Sequence, residues 1–147
     1  MIKKLVLVAT LIGAATAAQA VEIGVKGGTN LPSNENVWGV TVGQQMGRVN
    51  VLGEFTRSAA VDSYSIVGGV SVAKIGPATV AAKAGGVYVG GNSKGLADGY
   101  GVTVGAGASV PLAKSLAATV DYTYQRGQDR IESLNGSRVA AGLKYSF

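Results

Sequence analysis

Apolar and polar side chains alternate one by one in eight separate runs: residues 21–28, 37–46, 48–58, 64–73, 78–89, 99–110, 116–126 and 137–147. A period of two turns successive side chains to opposite faces, so each run predicts a β-strand with one apolar and one polar side. In the last run Val139, Ala141, Leu143, Tyr145 and Phe147 share one face, and Arg138, Ala140, Gly142, Lys144 and Ser146 the other. The seventh sets Ala118, Val120, Tyr122 and Tyr124 against Thr119, Asp121, Thr123 and Gln125. The third sets Val49, Val51 and Phe55 against Asn50, Glu54 and Thr56. Helical periodicity is weak everywhere. After residue 20 no stretch is apolar enough, for long enough, to form a membrane helix, whereas the runs are close to the roughly 9–11 residues a tilted strand needs to cross a bilayer.

The connections alternate in length. Gly47-Arg48, Lys74 to Pro77 and Pro111 to Ser115 read as tight turns punctuated by Gly or Pro, and residues 29–36, 59–63, 90–98 and 127–136 read as longer loops. Short turns at one end and longer loops at the other suit a membrane barrel. An even number of strands then puts both ends of the barrel on the short-turn side, expected to be the periplasm.

Alternation alone also fits a soluble sandwich or a lipocalin-like barrel, whose apolar faces point inward. The aromatic residues separate these readings. Trp38, Phe55, Tyr64, Tyr88, Tyr100, Tyr122, Tyr124, Tyr145 and Phe147 all fall on the apolar register of their runs. The first seven stand at run ends beside the longer loops, and Tyr145 and Phe147 at the opposite rim. A soluble core favours bulky rings in mid-strand, whereas a membrane barrel gathers them at the lipid–water boundaries. The fold expected is therefore all-β: an eight-stranded antiparallel up-and-down transmembrane β-barrel. Closure pairs the first strand with the last and removes the open edges that hydrocarbon does not tolerate.

Composition agrees. Gly is 23 of 147 residues, charged residues are 14% and hydrophobic ones 47%, which argues against disorder. Lys3 and Lys4, the apolar stretch Leu5 to Ala17 and Ala18-Gln19-Ala20 form the three parts of a cleaved export signal. A transmembrane anchor would need about 20 apolar residues. Residues 1–20 are thus read as signal peptide and 21–147 as the barrel. Losing the two lysines lowers the formal charge from +5 to +3, a scattered excess that predicts no nucleic-acid partner. Without Cys there is neither a disulfide nor a lipoprotein anchor.

The polar faces carry Glu22, Lys26, Glu54, Lys83, Asp121, Arg138 and Lys144. Charges inside a narrow barrel need partners or water, so three acids and four bases predict an ion-pair network plugging the lumen. Glu22 and Lys144 are the expected pair at the closing seam. A gated or narrow polar pore is the alternative. The absence of His rules out a Ser-His-Asp triad and His-ligated metal, and no catalytic site, cofactor or metal site is expected. Gly90-Gly91-Asn92-Ser93-Lys94-Gly95 lacks the phosphate-loop order and reads as a surface loop. Arg48, Lys74 and Lys114 give each short turn one base, set either against anionic headgroups or in solvent. Arg57, Lys94, Arg126 and Arg130 near the loops face possible lipopolysaccharide phosphates, offset by Asp62, Asp98, Asp129 and Glu132.

The final strand Val139-Ala-Ala-Gly-Leu-Lys-Tyr-Ser-Phe147, and the hairpin from Gly105-Ala-Gly-Ala-Ser-Val-Pro-Leu112 to Val120-Asp-Tyr-Thr-Tyr124, resemble the small outer-membrane barrel families: the transmembrane domain of OmpA, the OmpX/Ail/Lom group and the opacity-type proteins. The resemblance implies that Tyr145 and Phe147 form the signal read by the outer-membrane assembly machinery. It implies little about role, because the fold carries many, and the longest connection here is shorter than the loops of the virulence members. The expectation is a non-enzymatic, monomeric outer-membrane protein of a Gram-negative bacterium, with a structural or adhesion-type role and lipids and lipopolysaccharide as its surroundings. A narrow porin-like channel and a soluble barrel binding an apolar ligand are the alternatives.

Overall fold

The computed structural model describes residues 20–31, 34–58, 62–90, 99–127 and 136–147. The export-signal reading falls on residues outside this set, save Ala20. Eight strands follow in order: β1 (Ala20–Leu31), β2 (Glu35–Met46), β3 (Val49–Ser58), β4 (Asp62–Ile75), β5 (Ala78–Gly90), β6 (Gly99–Pro111), β7 (Leu116–Gly127) and β8 (Gly136–Ser146). Each pairs antiparallel with its sequence neighbours, and β1 pairs with β8, closing the barrel. Among the described residues there is no helix.

The eight runs read from the pattern are these eight strands, with shifted ends. β1 continues three residues beyond its run because Thr29, Asn30 and Leu31 still pair with β8, shrinking the connection expected over 29–36. β4 extends to Ile75, with a bulge between Ser71 and Ala73. Lys74, read as a turn residue, is instead the penultimate residue of β4 and lies opposite Thr79. The turn itself is Gly76-Pro77. Gly76 and Gly47 have φ of 59° and 62°, the left-handed geometry that tight hairpins impose and that a Cβ disfavours.

The register sets the size of the lumen. Stepping from partner to partner, Val21 leads through Gln44, Val51, Gly68, Ala84, Val104, Tyr124 and Ser137 to Leu31, ten residues further along β1. For eight strands that stagger corresponds to a tilt of about 40° and an interior that side chains alone can fill. Every residue on this path faces outward. So do Ile23, Val25, Trp38, Val40, Val49, Ile66, Val102, Val120, Tyr122 and Leu143, all of them exposed. Glu22, Thr56, Ser63, Thr103, Asp121, Gln125 and Arg138 are buried inside. The apolar side of the sheet therefore points out and the polar side in, the reverse of a soluble barrel. Val120, Tyr122 and Leu143 do not meet in a dry centre.

Candidate functional site

Inside the barrel, the seven charged residues read as inward-facing all line the lumen or lie buried in it. Three acids meet three lysines. Lys144 Nζ donates to Glu22 Oε1 at 3.0 Å, across the β1–β8 seam where the sequence placed the pair. Lys26 Nζ donates to Glu54 Oε1 at 2.6 Å. Lys83 donates to Asp121 Oδ1.

The last two pairs join strands that are not neighbours. Lys83 lies on β5 and Asp121 on β7, with β6 between them. Lys83 is opposite Gly105, and Asp121 opposite Gly107. A Cβ on Gly107 would stand 2.2 Å from Asp121 Oδ1 and 3.1 Å from Lys83 Nζ. The missing side chain is what lets lysine and carboxylate meet over the intervening strand. Lys26 and Glu54 similarly span β2, where Gly39 is opposite Lys26 and Thr41 opposite Glu54.

Arg138 has no carboxylate in ion-pair range among the described residues, unlike the role read for it in the network. Its Nε donates to Asn30 Oδ1 at 2.9 Å and its Nη1 to Thr56 Oγ1 at 3.2 Å, and Thr56 shares a 2.5 Å hydroxyl contact with Ser63. The neutral partners Asn30, Thr56 and Ser63 were not candidates from sequence. The period-two register locates Thr56 inside, whereas Asn30 and Ser63 fell in the connections read over 29–36 and 59–63; nothing in the chain marks any of the three as a partner of the surplus base.

The lumen has two unlike halves. Toward the longer connections, Val37, Val67, Val87 and Val89 are buried with Thr56, Ser63, Thr103, Gln125 and Arg138. Toward the short turns lies a polar cavity of about 370 Å³, bordered by the three ion pairs, Gln45, Asn50 and Lys74. Glu22 Oε2 and Asn50 Oδ1 are buried acceptors with no hydrogen-bond partner among the described residues. Both belong to residues lining this cavity, which is polar and roomy enough for water to complete their bonding. The described residues hold no group of three or more metal-ligating side chains.

Outside, the aromatic residues form a belt at the loop end. Phe55, Tyr64, Tyr88 and Tyr100 are successive cross-strand partners from β3 to β6. Ring centroids stand 5.1 Å apart for Phe55–Tyr64 and for Tyr88–Tyr100, and Trp38 meets Phe55 at 6.0 Å. Arg57 lies over Trp38 and Phe55, with its guanidinium carbon 5.9 Å and 5.7 Å from the ring centres, and holds Asp62 through two hydrogen bonds of 2.7 and 2.8 Å. Tyr122 shares a 2.7 Å hydroxyl contact with Ser137, and Tyr124 is exposed on the same face of β7. At the other rim Tyr145 and Phe147 pack edge to face at 5.0 Å. A polar lumen inside an apolar surface, bounded by rings, is the arrangement a bilayer selects.

The barrel has the transmembrane fold. It matches a de novo designed transmembrane β-barrel with a TM-score of 0.64 and 17% identity over 87% of this chain and 95% of that one. Neisserial surface protein A matches with a TM-score of 0.59 and 13% identity, covering 89% of this chain and 98% of its own. The Yersinia pestis outer membrane protein Ail, determined in a phospholipid bilayer nanodisc, matches with a TM-score of 0.55 and 12% identity, covering 86% and 99%. At such identities the fold is what is shared. No protein-family model and no curated protein sequence matches the chain.

Proposed function

We propose that the barrel is a non-enzymatic protein of a Gram-negative outer membrane, exported by its N-terminal signal. Its short turns and both barrel ends lie in the periplasm, and its longer connections face the exterior. In this reading the strands are an anchor, and contact with other molecules is made at the outer surface in an adhesion-type role. The observation that carries it is the set of side chains buried in the loop-end half of the lumen. Arg138 with Asn30, Thr56 and Ser63 stands beside the buried valines of β2, β4 and β5, which supports a plugged lumen. Two of the matching folds are described as an outer membrane protein and a surface protein, which supports the location.

The test has two parts. Fractionation yields a heat-modifiable band in the outer membrane, and planar-bilayer recording of the folded protein yields no steady unitary conductance. Replacing residues 91–98 and 128–135 by short glycine–serine links removes binding to host cells or matrix while the barrel still folds. The second reading, a narrow pore, draws on the 370 Å³ polar cavity. A steady conductance from the unaltered protein selects it.

A further inference from the structure

The β4 bulge lies beside a notch at the short-turn rim that continues from the mouth of the lumen cavity, sharing Gly47, Ser71, Lys74 and Thr79 with it. Between Ser71 and Ala73 β4 carries one residue more than β5 opposite it. A bulge of this kind re-aims the side chains that follow. Val72 is turned onto the outer surface, 62% exposed, while Ser71 and Lys74 border the lumen. Pairing of β3 with β4 ends at Val49–Val70, and beyond it the Ser71 amide donates to Arg48 O at 2.8 Å. The notch, about 520 Å³, opens between the Gly47-Arg48 turn and the end of β4. Arg48, Ser71, Val72, Lys74 and Thr79 are among its lining.

Charge makes this notch distinctive. In the short-turn half of the lumen each described carboxylate is already held: Glu22 by Lys144, Glu54 by Lys26 and Asp121 by Lys83. Arg48 and Lys74 enter no ion pair among the described residues, and both line the notch. Around it the outer surface is aliphatic: Val49, Val70 and Val72 are exposed, and Ile75 is 68% exposed. Two cations beside hydroxyls, at the edge of a bare apolar surface, match a molecule with an anionic head and hydrocarbon tails. A soluble anion would use only the cations.

We propose that this notch binds the phosphate headgroup of an anionic phospholipid in the leaflet on the short-turn side. Arg48 and Lys74 hold the phosphate, Ser71 and Thr79 offer hydroxyl donors, and the acyl chains lie along Val70, Val72 and Ile75. The proposal rests on the membrane reading of the barrel.

Native mass spectrometry tests it on the barrel released from nanodiscs of equal parts phosphatidylcholine and phosphatidylglycerol. The unaltered barrel retains phosphatidylglycerol over phosphatidylcholine. The Arg48→Gln/Lys74→Gln variant loses that preference by roughly ten- to thirty-fold, as two interfacial cations imply. Lys114→Gln, a base on another short turn outside this notch, keeps it. Equal retention of the two lipids by the unaltered barrel, or an equal loss in Lys114→Gln, overturns the site. Displacement by excess glycerol phosphate overturns the lipid in favour of a soluble anion. Heat-modifiable mobility reports folding of each variant. If the double variant does not fold, the lipid preference of the unaltered barrel and its loss at high salt decide the matter. A barrel that never enters the nanodisc refutes the membrane reading itself, a distinguishable failure.

Discussion

Lys144 on the last strand and Glu22 on the first are joined at 3.0 Å, so an ion pair links the two strands whose pairing closes the barrel. The Glu22 side chain is 8% exposed and that of Lys144 25%. Removing the lysine strands a buried carboxylate. Lys144→Met is expected to lower unfolding free energy by about 1–3 kcal/mol, less than for fully buried pairs because Lys144 reaches toward the rim. The Glu22→Gln/Lys144→Met double variant regains at least half of that. Denaturant unfolding in lipid vesicles, followed by the fluorescence of Trp38, measures both. Equal losses in single and double variants would show that the two residues do not act as a pair.

Lys83→Ala leaves Asp121 alone in the lumen. Stability should fall by about 2–4 kcal/mol, and if the lumen is plugged as proposed there is no steady conductance, because Val87, Val89 and Arg138 remain buried in the loop-end half. Unfolding in vesicles and planar-bilayer recording on the same preparation test this. A large, steady current with unchanged stability contradicts it.

Gly107 and Gly86 should respond oppositely to a methyl group. A Cβ at Gly107 meets Asp121 Oδ1 at 2.2 Å, whereas one at Gly86, facing outward, meets nothing within 4 Å. Gly107→Ala is expected to cost about 1–3 kcal/mol through overpacking, and Gly86→Ala to be within about 0.5 kcal/mol of the parent. Comparison of their denaturation midpoints decides. A tolerated Gly107→Ala would mean that the Lys83–Asp121 contact does not need the gap.

Val104 lies midway along β6, outward and half exposed. On a water-facing surface Val104→Arg would be nearly silent. In a bilayer it should cost about 2–4 kcal/mol. Refolding equilibria in vesicles give the answer, and a silent substitution would count against a lipid-facing surface.

Phe147 is 74% exposed, and its amide donates to Val21 O at 3.0 Å. If Tyr145 and Phe147 are an assembly signal, Phe147→Ala lowers the folded fraction in cells several-fold yet leaves refolding in protein-free vesicles nearly unchanged. Equal defects in both settings would make the role structural.

Much of this architecture was legible in the chain. Alternation in β7 and β8 fixes which of Asp121, Tyr122, Arg138 and Val139 share a face, because a strand has only two sides. The weaker points were local. Thr29 to Leu31 look like loop residues, yet they are held in β1 by β8 across the seam. Lys74 lies beyond a bulge, which breaks the count of two on which the reading depends.

Alternation alone settled the number of strands, the side occupied by residues within the eight runs up to the β4 bulge, and the excess of four bases over three acids on their inward register. It could not say which acid meets which base. That depends on the ten-residue stagger and, for Lys83 and Asp121, on the space above Gly107, which brings strands two apart within reach. Nor could it show that Arg138 turns to Asn30 and Thr56, or that one half of the lumen is packed while the other stays open. Periodicity is a property of a single strand. Pairing partners and cavities are properties of the closed ring, and exist only once all eight strands are in register.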